Sequence, residues 1–141
     1  MYSIEEFDRE KTKILKYIMY KKRTENEIRS KFKLTIEENL LEDIIDYLKE
    51  TGYINDYNYI ERFVNECIAL KNLSIKELKY KLYSKGINRN LLDEYIQKNY
   101  EKLVEYERKS AENIKLKKQN SMNEEEIKMY LLKKGYKGDN I

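Results

Sequence analysis

The 141-residue chain has no histidine, proline or tryptophan, a single cysteine and four glycines. Each shortage removes a class of function. Without histidine there is no imidazole base, no partner to activate Cys67 as a nucleophile, and no nitrogen ligand for a zinc site. One cysteine makes no internal disulfide, and Cys67 falls on the apolar side of a helical pattern, where it reads as a small core residue. Four glycines leave no Gly-rich loop to cradle phosphate, and no oxygen-rich loop has the spacing of a calcium site. No run approaches the roughly twenty apolar residues that cross a bilayer. The amino terminus carries Glu5, Glu6 and Asp8 where a signal peptide would be basic. The expectation is a cytoplasmic protein without cofactor, metal or catalytic constellation.

What is present is charge and periodicity. Charged residues make up 39% of the chain and apolar ones 40%, too many for a disordered chain when they recur at helical spacing. Lys, Ile, Asn, Tyr and Glu are abundant, the bias of an AT-rich coding sequence. The fourteen tyrosines follow from that bias and not from a base-stacking role.

The most informative stretch runs from Gly52 to Val64. Gly52 can take the left-handed conformation that closes a helix, and Asn55 or Asp56 can cap the next one. Tyr59, Ile60, Phe63, Val64, Cys67 and Ile68 then form one apolar helical face. The surroundings of this joint repeat at a spacing of about fifty residues. Glu77 to Ile87 aligns without a gap on Glu126 to Tyr136. Glu27 to Phe32 fits the same frame, and after a one-residue deletion Asn39 to Ile45 overlays Asn90 to Ile96.

Caps and periods place the helices. The first runs from about Ile4 to Lys22, with Phe7, Ile14, Leu15, Ile18 and Met19 inward. Thr24 and Glu27 form a capping box opening a short helix to Lys33, with Ile28 and Phe32 buried. Thr35 with Glu38 opens the third, whose stripe is Leu41, Ile44, Ile45 and Leu48. The second period holds helices over 56–70, 74–85 (Ser74 boxed by Glu77) and 88–100. Its expected core is Tyr59, Phe63, Ile68, Leu78, Leu82, Leu91, Leu92 and Ile96. The third holds helices over 101–118 and 123–134, with a stub over 137–141; its first helix is thin in apolar residues. The predicted fold is all-α: three tandem three-helix repeats (1–52, 53–100 and an incomplete 101–141) in an elongated, curved array.

The chain resembles the RecX family of bacterial RecA regulators along nearly its whole length. The joint Gly52-Tyr53-Ile54-Asn55-Asp56-Tyr57-Asn58-Tyr59 is similar to the family's Gly-Tyr-(Ile/Leu)-(Asp/Asn)-Asp-x-x-(Phe/Tyr). Lys85-Gly86-Ile87 and Lys134-Gly135-Tyr136 look like its repeat closures. Two departures stand out: the first repeat reads Lys33-Leu34-Thr35-Ile36 where a Lys-Gly closure belongs, with Thr35 capping instead, and the third lacks most of its last helix. The resemblance implies a monomeric, non-enzymatic modulator that lies in the groove of a RecA–DNA filament. It would block strand exchange or ATP turnover there, meeting DNA weakly or through the filament.

Charge placement offers the candidate contacts. Residues 1–51 carry 11 basic and 12 acidic groups and residues 52–141 carry 18 and 14, so the excess lies late in the chain. The clearest cluster is Lys71, Lys76, Lys79, Lys81 and Lys85. Lys21, Lys22, Arg23, Arg29 and Lys31 sit at the corresponding place in the first period, and Lys128, Lys133 and Lys134 in the third. Any one lysine can simply solvate an outer helix face; repetition at equivalent sites suits an anionic partner. Two other readings stay open. Thr35 to Glu50 has the outline of a helix-turn-helix, although Glu37, Glu38, Glu42, Asp43 and Asp46 would repel phosphate. A helical adaptor for an unrelated protein is the other.

Overall fold

The computed structural model describes all 141 residues, Met1–Ile141. It is all-helical: α1 (Ile4–Tyr20), α2 (Glu25–Phe32), α3 (Glu38–Glu50), α4 (Asp56–Leu70), α5 (Ile75–Ser84), α6 (Arg89–Lys98), α7 (Tyr100–Lys118) and α8 (Glu124–Lys133), with a final 3-10 turn at Gly138–Asn140. No helix is long and apolar enough to cross a membrane. Two compact units emerge. One joins Met1–Tyr59 to Lys85–Ile87, and the other joins Ile60–Ser84 to Asn88–Ile141.

The first unit is built on α1, α2 and α3. Ile14, Ile18, Ile28, Leu40, Leu41, Ile44, Ile45 and Leu48 form its buried core, closed by Ile36 and Ile54. Met19, expected inward, is 76% exposed, because the buried line of α1 runs through Ile14 and Ile18 and Met19 stands one step off it. Phe32 is half-buried, its ring edge-on to Tyr17.

Thr35 does not cap α3. Its hydroxyl turns back to the Phe32 carbonyl, and the Glu37 carboxylate accepts the N–H groups of Asn39 and Leu40. Asn88 does the same for Asn90 and Leu91 at the head of α6. Counted with the one-residue deletion, Glu37 and Asn88 are the same position. Ile36 then matches Ile87 and Tyr136, and all three are buried. With one residue fewer, the first period turns without a left-handed residue, so it needs no glycine.

In the second unit Val64, Leu78, Leu82, Leu92, Tyr95 and Leu103 surround a void of only about 10 Å³. Phe63 is half-buried and flanks this core; the centre of the α4 face is Ile60, Val64 and Cys67. Leu91, Ile96 and Ile68 are likewise half-buried, while Tyr95, which was not expected inside, is 2% exposed. The helical angle explains it: the true inward line of α6 runs through Leu92 and Tyr95, one step from Leu91 and Ile96. Ala111, Ile127, Leu131 and Tyr136 continue the core beneath α7 and α8.

One joint is used twice. Thr24 heads α2 with a complete capping box, and Ser74 with Glu77 makes the same reciprocal pair ahead of α5. Both hydroxyls are fully buried and also donate: Thr24 to the Lys85 carbonyl at 2.8 Å and Ser74 to the Lys134 carbonyl at 2.7 Å. The next N–H of each helix is taken by a carboxylate from further along the chain, Glu25 by Asp56 and Ile75 by Glu107. Asp56 therefore caps the earlier helix α2, while Asn55 caps its own helix by accepting from Asn58. Gly86 and Gly135 complete the joint. Both have positive φ, and a Cβ on Gly86 would run into the Asn26 side chain, one on Gly135 into Lys76 at 2.7 Å.

Gly52 also has positive φ but faces open space. Alanine at Gly52 should lower stability by about 1–2 kcal/mol, the left-handed penalty alone. Alanine at Gly86 should cost about 1–3 kcal/mol more, because its Cβ also overpacks Asn26. Urea unfolding of the two variants reads the difference; equal costs would show that the close approach is not tight. Leu82→Ala should cost about 2–5 kcal/mol, and Phe63→Ala less than the roughly 3–5 kcal/mol of an enclosed ring.

Candidate functional site

The candidate basic residues separate into those tied to their own fold and those that are not. Arg29 holds the Glu42 carboxylate with both terminal nitrogens, at 2.6 and 2.9 Å, and Glu25 through Nε at 3.0 Å. The Glu42 bond raises its pKa further. Arg23 lies over the Tyr17 ring at 4.0 Å, with a buried Nε that has no hydrogen-bond partner, and Lys31 approaches the same ring at 5.7 Å. Lys85 reaches to within 4.0 Å of Glu27. Lys134 sits 5.6 Å above Tyr130. Lys71 and Lys133 are exposed.

Lys76 and Lys79 of that group meet in one cleft. They line a cleft of about 540 Å³ in the second unit, with Tyr80, Tyr83, Arg89, Tyr100 and Lys137. The helical spacing of α5 puts Lys76, Lys79, Tyr80 and Tyr83 on one side, since residues three and four apart share a face. Arg89 opens α6 and lies 5.7 Å from the Tyr83 ring; Lys137 follows the Gly135 closure and lies 5.9 Å from Tyr100. Sequence reasoning missed both of these cations. Arg89 stands alone in its stretch, and Lys137 is brought in only by the bend at Gly135.

The one carboxylate in the cleft wall is Glu107, which is 1% exposed. It accepts the Ile75 N–H at 2.8 Å, the Lys137 N–H at 3.3 Å and the Asn140 amide at 2.5 Å. Three donors and the positive end of α5 face it, so its charge is spent inside the fold. The cleft surface is left cationic and aromatic. A second cleft of similar size includes Glu124 among its lining residues and has no ring. No group of three His, Cys, Asp or Glu side chains is placed to hold a metal ion.

The joint itself has an electrostatic signature. Burial lifts the Asp56 carboxyl above its ordinary 3.8, against the lowering effect of the Glu25 N–H. A carboxyl whose folded pKa exceeds its unfolded one holds an extra proton in the native state between those two values. Its contribution to stability therefore falls as pH rises through that window. Asp56→Asn keeps an acceptor for the Glu25 N–H and removes the titration. Relative to the unaltered protein, its stability should gain as pH climbs upward from the ordinary carboxyl pKa of 3.8. Urea midpoints over a pH series test this; a constant difference would show that Asp56 titrates normally.

No family model matches the chain. It is 33% identical over 142 residues to the regulatory protein RecX of Clostridium beijerinckii, covering 94% of this chain and 64% of that protein. Against the regulatory protein RecX of Finegoldia magna it is 36% identical over 84 residues, 59% of this chain and 41% of that one. The chain thus spans less than two thirds of these curated relatives. The crystal structure of RecX from Lactobacillus salivarius superposes with a TM-score of 0.81 at 28% identity, covering 98% of this chain and 93% of that one.

Proposed function

The chain belongs to the RecX family, and we propose that it is a non-enzymatic regulator that binds a RecA filament on DNA and restrains it. The observation that carries this reading to particular residues is the cleft of the second unit. There Lys76, Lys79, Arg89 and Lys137 gather around rings, and the only carboxylate is buried and engaged. Such a surface suits a polyanionic partner. The protein would work in the cytoplasm as a monomer, reading the filament through its tandem helical repeats.

Among the basic candidates, Lys76 and Lys79 are the leading contacts, with exposed Lys71 and Lys133 as secondary ones. Arg29 and Lys85 serve the first unit's own packing, and Arg23, Lys31 and Lys134 are drawn to rings. The helix-turn-helix alternative loses ground, because α3 turns Glu38, Glu42, Asp43 and Asp46 to the surface. A helix entering a DNA groove presents cations and amides there.

Reversing Lys76, which is exposed, and Lys79, which is half-buried, to Glu should leave the helical signal unchanged and lower melting only slightly, since surface substitutions move stability by about 0.5 kcal/mol or less. Inhibition of RecA-driven ATP hydrolysis on single-stranded DNA should weaken, and the residual effect should depend less on salt. Full inhibition by the double variant would remove this cleft from the mechanism.

A further inference from the structure

The cleft holds more than charge. Tyr80 is 74% exposed and Tyr100 49% exposed, a large aromatic area for a surface whose neighbours are cations. Arg89 and Lys137 each stand beside a ring of the same wall, at 5.7 and 5.9 Å. Cations spaced by flat rings match a single strand, whose phosphates recur between bases with open π faces. A duplex keeps its bases stacked on one another, and an acidic peptide has carboxylates but nothing that needs a ring face. The volume, about 540 Å³, lies within the roughly 300–1,000 Å³ typical of sites for small ligands.

We propose that this cleft is a binding site for a nucleotide of single-stranded DNA, with one base stacked on Tyr80 and its flanking phosphates held by Lys79 and Arg89. The site deepens the filament reading and rests on it for its biological setting. Tyr100 and Lys137 also line the cleft, and Glu107 holds the Lys137 backbone there by accepting its N–H. Affinity for a free strand is modest, because a single stacked base and a few phosphate contacts supply it. What distinguishes the site is a component that depends on the base and persists as salt rises.

The test uses the full chain and fluorescence anisotropy, with labelled oligothymidylate and an abasic deoxyribose-phosphate strand of equal length as probes. The thymidylate should bind about tenfold more tightly than the abasic strand, as stacking of one base requires. Tyr80→Ala should abolish that difference, and Tyr80→Phe, which keeps the ring, should preserve it. Tyr20→Ala, at a still more exposed position at the end of α1, should change nothing. Equal binding of the two strands, or a Tyr80→Ala variant that still distinguishes them, overturns the assignment. Displacement by oligoglutamate as effective as by thymidylate overturns it too, in favour of an acidic protein segment. Inhibition of RecA-driven ATP hydrolysis by the unaltered chain is measured in parallel. Base-dependent binding without inhibition defeats the filament reading and keeps the site; inhibition without base-dependent binding does the reverse.

Discussion

The N-terminus of a helix is a set of unpaired N–H groups, and the joints of this protein depend on how two such ends are satisfied. At α2 and α5 the cap hydroxyl accepts from within its own helix and donates to a carbonyl 61 and 60 residues downstream. A carboxylate from later in the chain takes the next N–H. Each of these groups is buried or half-buried, so leaving one unpaired costs more than the bond itself contributes. The polar demand of one helix end thereby fixes the position of chain far away in sequence. The glycines follow from the same demand. The carbonyl can reach the hydroxyl only if the backbone behind it passes close over Asn26 or Lys76, where no Cβ fits.

This explains which features were readable in the sequence. Capping boxes, helix bounds and glycine closures are local, and the order of residues within a few turns specifies them. The bounds of α4, for example, are those expected from the joint at Gly52. What escaped was decided at a distance. Asp56 was visible as a cap, but that it serves α2 and not α4 depends on where the preceding helix lies. Nothing local marks Glu107 among the charges of α7; its burial follows from the α5 end packed against it. The cap of α3 is legible as well, since the deletion that aligns Asn39 with Asn90 pairs Glu37 with Asn88, and both residues cap.

The basic residues teach the same lesson about function. Equivalent sites in a repeating sequence do not keep equivalent jobs once side chains find partners. Arg29 and Lys79 are the same position in the aligned frame. One is clamped between two carboxylates, and the other lines the cationic cleft. Tyrosines show the opposite case. A coding bias accounts for their number but not for three of them lining one cleft with four cations, and only the fold brings those seven side chains together.

The double duty of the cap hydroxyl narrows the paths along which the chain can diverge. Between its two uses the joint has drifted from Thr24 to Ser74, from Asp56 to Glu107 and from Ile87 to Tyr136. The first two pairs conserve chemistry while changing size, and the third conserves only burial. Aspartate, among the best caps on an isolated helix, is barred at the hydroxyl position, because it would set a carboxylate oxygen against a carbonyl oxygen. Drift there is confined to Ser and Thr, while the side chains outside the joint are free to lose all resemblance to one another.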